Sequence, residues 1–362
     1  MSSVIGNSIH ISVFGESHGS AIGVVLDGLP AGEAIDLEAV GVQMQRRAPG
    51  NDATSTPRKE ADIPEVLSGM LDSYTTGMPL TAVIHNTNTK SGDYEYLKDT
   101  PRPSHVDYNA NIKYGGHFDL RGSGHFSGRL TAPIVFAGAV CRQILARRGI
   151  EVGGHVAAIG AVSDTPFDKV NVDADLLKSL NAKPFAVVDP DAEVKMREEV
   201  SKARADGDSI GGEVEIAVTG LPVGVGEPMF RGVESVLSGL VFGIPAVKGV
   251  SFGSGFDITK MRGSDANDRL TMQGEKVRTL TNNNGGIIGG ITNGMPLILR
   301  AAIKPTPSIA AEQMTLNLKT GKAEPLSVRG RHDPCVVARA LPAIEAAVCI
   351  GLCDLMKEGG LL

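Results

Sequence analysis

Two histidines stand in stretches whose neighbours hold them in place. His18 follows the apolar run "ISVF" within "GESHG" (15–19), and His105 lies in "PRPSHVDY" (101–108), stiffened by two prolines with Arg102 close by. A histidine at a strand end, flanked by glycines, titrates near neutral pH and suits general acid–base work. The plain alternative for each is a turn or surface-loop histidine without a role. The first stretch also fits G-x-S-x-G with Ser17 as a nucleophile, but that elbow needs sheet strands before it and a helix directly after it. Here it falls near residue 17 and runs on into a second apolar stretch, which leaves His18 as the better chemical group.

Cations gather nearby in sequence. Arg46, Arg47, Arg58 and Lys59 lie in or beside the loop-like "RRAPGNDATSTPRKEAD". Arginine pairs bind carboxylate and phosphate through paired hydrogen bonds. Arg46 and Arg47 equally suit the negative end of a preceding helix, and both roles can hold. "GSGHFSGRLT" (122–131) runs into an apolar helix, a natural anion site to which Ser127 and Arg129 add a hydroxyl and a cation. It also fits a loose dinucleotide-type glycine pattern, but no apolar strand precedes it. In "VRGRHDPC" (328–335), Asp333 before Pro334 reads as a helix cap. Arg329, Arg331 and His332 crowd the same helix start with more charge than a cap requires. "NNNGGIIGGITNGMP" (282–296) and "KPTPSI" (304–309) supply glycine backbone, a lysine and hydroxyls, which is the chemistry of a phosphate or flavin cradle.

These residues need a scaffold. Strands are expected at 9–14, 22–32, 79–88, 215–224 and 295–303, and a helix capped by Asp36 through residue 47. The runs 129–148 and 334–355 read as helices apolar nearly all round, hence buried. Two buried helices imply a central helical layer with sheets as cover, an α+β multilayer sandwich of antiparallel β-sheets. "VVLDGLPAG" (24–32) resembles "IAVTGLPVG" (216–224), and "GMPLTAVI" (77–84) resembles "GMPLILRA" (294–301), in the same order. One domain over 1–362 with duplicated halves of about 1–150 and 151–362 explains this; chance recurrence of two turns explains it equally.

Composition narrows the partners. A net charge of −6 argues against nucleic acid and confines anion binding to a local basic cluster. The longest clean apolar stretch, 130–141, is too short to span a bilayer, so no membrane partner is expected. The N-terminal residues show no signal-peptide pattern. Cys141, Cys335, Cys349 and Cys353 form no CxxC pair, which favours buried thiols over zinc ligands or disulfides and points to the cytoplasm. No metal site is expected.

Taken together, "FGESHG", "DGLPAG", "RRAPG", "RPSHVDY", "GDSIGGEV", "GVGEP", "AVKGVSFGSGFD", "NNNGGIIGGITNG", "KPTPSI" and "GRHDPC" resemble the chorismate synthase family in order and through most of the chain. The resemblance implies 1,4-elimination of phosphate from 5-enolpyruvylshikimate-3-phosphate to give chorismate. It implies reduced FMN (FMNH2) without net redox change, with NADPH as one source of reducing power and an external reductant as the other. A homotetramer is also implied. On this likeness, His18 protonates the leaving phosphate, His105 protonates or hydrogen-bonds the reduced flavin, and Asp333 assists proton removal at the flavin. Arg47, Ser127, Arg129 and Arg331 hold the substrate. His125, Phe126, Ser127, Pro245, Ala246, Gly289, Lys304, Pro305, Thr306, Pro307, Ser308 and Arg331 contact the cofactor. The chain departs from the family pattern at His125-Phe126-Ser127, where an arginine-serine-serine triplet is usual. It also has Ala53 in place of an arginine and Pro245 in place of an asparagine; Arg58 or Lys59 is the expected substitute for the arginine missing at 53. A flavin- or anion-binding relative without catalysis is the second reading.

Overall fold

The computed structural model describes residues 3–50, 61–87, 96–328 and 333–362. Five antiparallel strands form a first sheet: β1 (Val4–Ile5), β2 (His10–Gly15), β3 (Ala21–Asp27), β4 (Glu65–Ser68) and β5 (Leu80–His85), in the order β1-β2-β3-β5-β4. A second sheet holds β6 (Glu151–Ile159), β7 (Val162–Ser163), β8 (Gly212–Thr219), β9 (Val247–Phe252) and β10 (Leu297–Ile303), ordered β9-β10-β8-β6-β7. Most residues of the central strands β3, β8 and β10 are buried.

Between the sheets run α3 (Thr131–Ala146) and α7 (Val337–Glu358), both buried along most of their length. Helix α3 packs on β3 and β5, and α7 on β6 and β8. The two helices approach closely where Gly138 meets Ala346; a Cβ on Gly138 would lie 2.2 Å from the alanine methyl. Around this layer lie α1 (Leu37–Arg47), α2 (Asp107–Lys113), α4 (Ala174–Leu180), α5 (Pro190–Ala205) and α6 (Val233–Phe242). Asp36 caps α1 as the sequence indicates, accepting from the amides of Glu38 and Ala39.

Strand pairing in the two halves coincides. Val24 sits opposite Ala82, and Ile216 opposite Leu299; these are the same positions of the two repeated sequence stretches. The order β2-β3-β5-β4 reappears as β6-β8-β10-β9.

One sequence expectation fails in detail. Asp333 does not cap α7, which begins at Val337 with no side-chain cap. The carboxylate accepts from the Arg339 guanidinium instead, a charged donor one turn into the helix that outcompetes neutral backbone amides.

Candidate active site

A cavity of about 1170 Å³ opens beside the N-terminal ends of α3 and α7. Its apolar floor includes Ile11, Val13, Ile134 and Ile244, and Phe126 forms a wall with Tyr114, their ring centroids 6.2 Å apart. Arg47, Arg102, Lys248, Lys304, Asp333 and Arg339 bring charge to it, and His105 an imidazole. Ligand pockets ordinarily span about 300–1,000 Å³, so this one is at the large end.

Sequence neighbours on α1 part ways. Arg46 turns into the helical layer, where Nη1 donates to Glu345 at 2.6 Å, and Arg142 donates to the same carboxylate at 2.7 Å. Arg47 turns toward the cavity. Its Nε donates to Thr131 Oγ1 at 3.0 Å, Nη2 to the Gly128 carbonyl at 3.2 Å and Nη1 to Asp62. Asp62 also accepts from Arg129, so one buried carboxylate holds both guanidiniums. Burial pushes the Asp62 carboxyl up, but the two cations outweigh it and hold it below the usual range. Burial, with Arg339 and Arg129 beside it, lowers Arg47 to about 10 despite Asp62, which leaves it charged at neutral pH. Asp62 was not singled out in the sequence; nothing in "EADIPEV" marks it apart from other acidic residues.

The glycine loop is a chain of tight turns ahead of the helix. Gly122, Ser123 and Gly124 are consecutive left-handed residues, and Ser127 caps a single 3₁₀ turn by accepting from the Arg129 amide. His18 and Ser17 sit under this loop: the Ser17 amide donates to the Gly124 carbonyl at 3.1 Å, and the His18 ring lies against Gly122. Asn86, just past β5, ties the same parts together. Its amide donates to the carbonyls of Glu16 (3.0 Å) and Gly19 (2.9 Å) and accepts from Arg129 Nε (3.0 Å). His125 spends both ring nitrogens on protein, at 2.8 Å from the Gly15 carbonyl and 2.8 Å from Ser3 Oγ.

His105 stands across the cavity at the start of α2. Nδ1 is 2.7 Å from Asp107 Oδ1, and Nε2 is 3.1 Å from Ser123 Oγ. Arg102 grips Asp107 with two 2.8 Å hydrogen bonds and reaches Ser308 and Ser123. Burial lowers the His105 pKa, with Arg102 and Lys304 assisting and Asp107 opposing. The Asp107 carboxyl is raised by burial but held far below its ordinary range by Arg102 and His105. From the end of β10, Lys304 Nζ donates to the Ser104 carbonyl at 2.7 Å and Thr306 to that of Asp333 at 2.7 Å.

The cavity lining therefore gathers Arg47, His105, His125, Phe126, Ser127, Pro245, Ala246, Lys304, Thr306, Pro307, Ser308 and Asp333. His18 and Arg129 lie behind it, linked through Gly122, Asn86 and Asp62, and Pro305 is next to lining residues. Gly289 is not part of it: it opens the turn of the hairpin Ile287–Ile288/Ile291–Thr292. Arg331, Ala53, Arg58, Lys59, Arg329 and His332 lie outside the described residues.

A β-α-β sandwich that places guanidiniums, a lysine, a neutral imidazole and a carboxylate around one large cavity defines an enzyme for small anionic substrates. A family model described as chorismate synthase matches residues 9–356. A chorismate synthase of Dehalococcoides mccartyi is 44% identical over 362 residues, covering 100% of this chain and 98% of its own. One from Thermococcus gammatolerans is 44% identical over 349 residues, with 96% of each chain covered. One from Methanosarcina acetivorans is 41% identical over 359 residues, covering 99% and 97%. A crystal structure of chorismate synthase superposes with a TM-score of 0.78 at 26% identity, covering 98% of this chain and 93% of that one. The chain belongs to the chorismate synthase family, and it is an enzyme, a carbon–oxygen lyase.

Proposed function

We propose that the cavity eliminates phosphate from 5-enolpyruvylshikimate-3-phosphate to give chorismate, with reduced FMN as cofactor. The observation that carries this is one cavity lined by Arg47, His105 and Asp333, with Arg129 behind it joined to Arg47 through the Asp62 carboxylate. A substrate with two carboxylates and a phosphate needs such a cluster in a chain whose overall charge is −6.

The donor set suits the cofactor. Phe126, Tyr114 and the apolar floor offer faces for a flat ring, while Lys248, Lys304, Thr306 and Ser308 offer a cation pair and hydroxyls for a phosphate. Reduced FMN, when bound, supplies electron density to the allylic C–O bond and recovers it, so no net oxidation results. Arg47, Arg129 and Ser127 orient the substrate anions, and Arg331 joins them. His18 delivers a proton to the departing phosphate. His105, neutral at the cavity wall, would hydrogen-bond the cofactor, and the Asp333 carboxylate would assist removal of a proton from it. Pro245, Ala246 and residues 304–308 complete the cofactor contacts.

Reduction by an external reductant is part of this reading, with NADPH as the alternative source. A homotetramer is supported by exposed Met229, Phe230 and Phe256, each at least 80% exposed in the lone chain. A cytoplasmic location is supported by four buried cysteine thiols. The test is an anaerobic assay with reduced FMN that follows chorismate and phosphate together. Stoichiometric release of both is expected, and absence of product with wild-type protein would leave only a binding function.

A further inference from the structure

His105 is held by more contacts than a cavity-lining histidine needs. Asp107 Oδ1 lies 2.7 Å from Nδ1, and a carboxylate only accepts, so Nδ1 carries the hydrogen. Nε2 is then the acceptor of a neutral ring, 3.1 Å from Ser123 Oγ. Ser123 can donate to it because the hydroxyl oxygen is itself engaged as acceptor by Arg102 Nη2 at 3.2 Å. Arg102 closes the set with two 2.8 Å hydrogen bonds to Asp107, a third from its amide at 3.1 Å and one to Ser308 at 3.0 Å. The Ser123 backbone is left-handed, with φ 70°, an arrangement that costs a non-glycine residue energy and brings its hydroxyl to the ring.

We infer that Asp107 and Arg102 are positioning residues for His105: the carboxylate fixes the Nδ1–H tautomer and turns Nε2 toward Ser123 and the cavity, while the guanidinium cancels the carboxylate's charge and keeps the ring neutral. The inference rests on the reading of His105 as a cofactor-facing group. An imidazole beside a lone carboxylate would be drawn toward its charged form. Here the charged groups that face the ring are Asp107, Arg102 and Lys304, and the two cations with burial prevail over the one anion. Protonation would also set an imidazolium against the Arg102 guanidinium, with both donating to Ser123.

The experiment is histidine ¹⁵N NMR on the full chain without cofactor, the His105 signals being assigned by their loss in His105→Gln. Wild-type protein should show the Nδ1–H tautomer and a titration midpoint below that of an ordinary histidine. Asp107→Asn should lower the midpoint further, since an attraction is removed and Arg102 is left uncompensated. Arg102→Met should move it the opposite way. A salt bridge that served only to hold the loop would leave the ring's tautomer and kcat as they are in wild-type protein. In turnover, Asp107→Asn should lower kcat by about 10²-fold, the scale of one proton-handling group, with KM changed less than about twofold. An Nε2–H tautomer in wild-type protein overturns the inference, and needs no variant to fold. So does an Asp107→Asn protein with unchanged tautomer and midpoint. Full activity in His105→Ala, alongside the expected NMR shifts, would remove the functional reading of His105 and leave the positioning intact.

Discussion

The His18 ring is seated on the bare backbone of Gly122: a methyl group there would lie 2.2 Å from His18 Nδ1 and 2.8 Å from Ser17 Oγ. Gly122 is also left-handed, with φ 55°. Gly122→Ala should therefore lose about 1–2 kcal/mol from the backbone alone and displace the ring. The expected result is a fall in kcat of about 10²-fold with flavin affinity retained. Thermal melts, flavin titration and turnover on one preparation check it; unchanged kcat would argue against His18 as the proton donor.

Arg46 and Arg47 each lose a buried ion pair when replaced, but only Arg47 should change substrate binding. Arg46→Met leaves Glu345, wholly buried, with Arg142 as its remaining cation, so a loss of about 3 kcal/mol is expected with KM little altered. Arg47→Met should raise substrate KM by tenfold or more, about 1.4 kcal/mol. Parallel denaturant melts and Michaelis curves compare the two, and equal KM effects would refute the division of roles.

Asp62 holds both arginines, so Asp62→Asn should act on each at once. Breaking a buried pair by removing one partner costs about 3–5 kcal/mol. Substrate KM should rise because Arg47 and Arg129 lose their common anchor. The double-mutant cycle of Asp62→Asn with Arg129→Met measures this coupling; strict additivity would show that the carboxylate does not organise the pair.

Two pH limits follow from the buried charges. Asp62 and Asp107 have folded pKa values below their ordinary ones. Their stabilisation is present above about pH 3.9 and is lost as pH falls through the lower folded values. His155, wholly buried between Asp164 (2.6 Å) and Glu215 (3.0 Å), behaves oppositely. Burial lowers its pKa, but the two carboxylates outweigh that and raise it. Its contribution is complete below about pH 6.5 and is lost as pH rises through the raised value. Melting temperatures measured on both sides of neutrality should decline at both ends, and His155→Gln should abolish the alkaline decline specifically.

The buried helices, the Asp36 cap and the main strands were legible in the sequence because apolar periodicity and capping chemistry are local. The ten motifs pointed to the family, and the two repeated stretches occupy matching places in the sheets, with Val24 opposite Ala82 and Ile216 opposite Leu299. Which way a charged side chain turns was not legible. Arg46 and Arg47 are adjacent and chemically identical, and only the helix's 100° rotation per residue sends one to Glu345 and the other to the cavity. Asp333 was misread as a cap because Asp-Pro suits a helix start, whereas Arg339 offered a stronger donor. Asp62 and Asn86 gained their roles from partners up to 70 residues away, Asp62 from Arg129 and Asn86 from Glu16. Local sequence thus fixed which chemistry was present; long-range packing alone decided which charges meet, because a contact across the fold leaves no periodic trace in the chain.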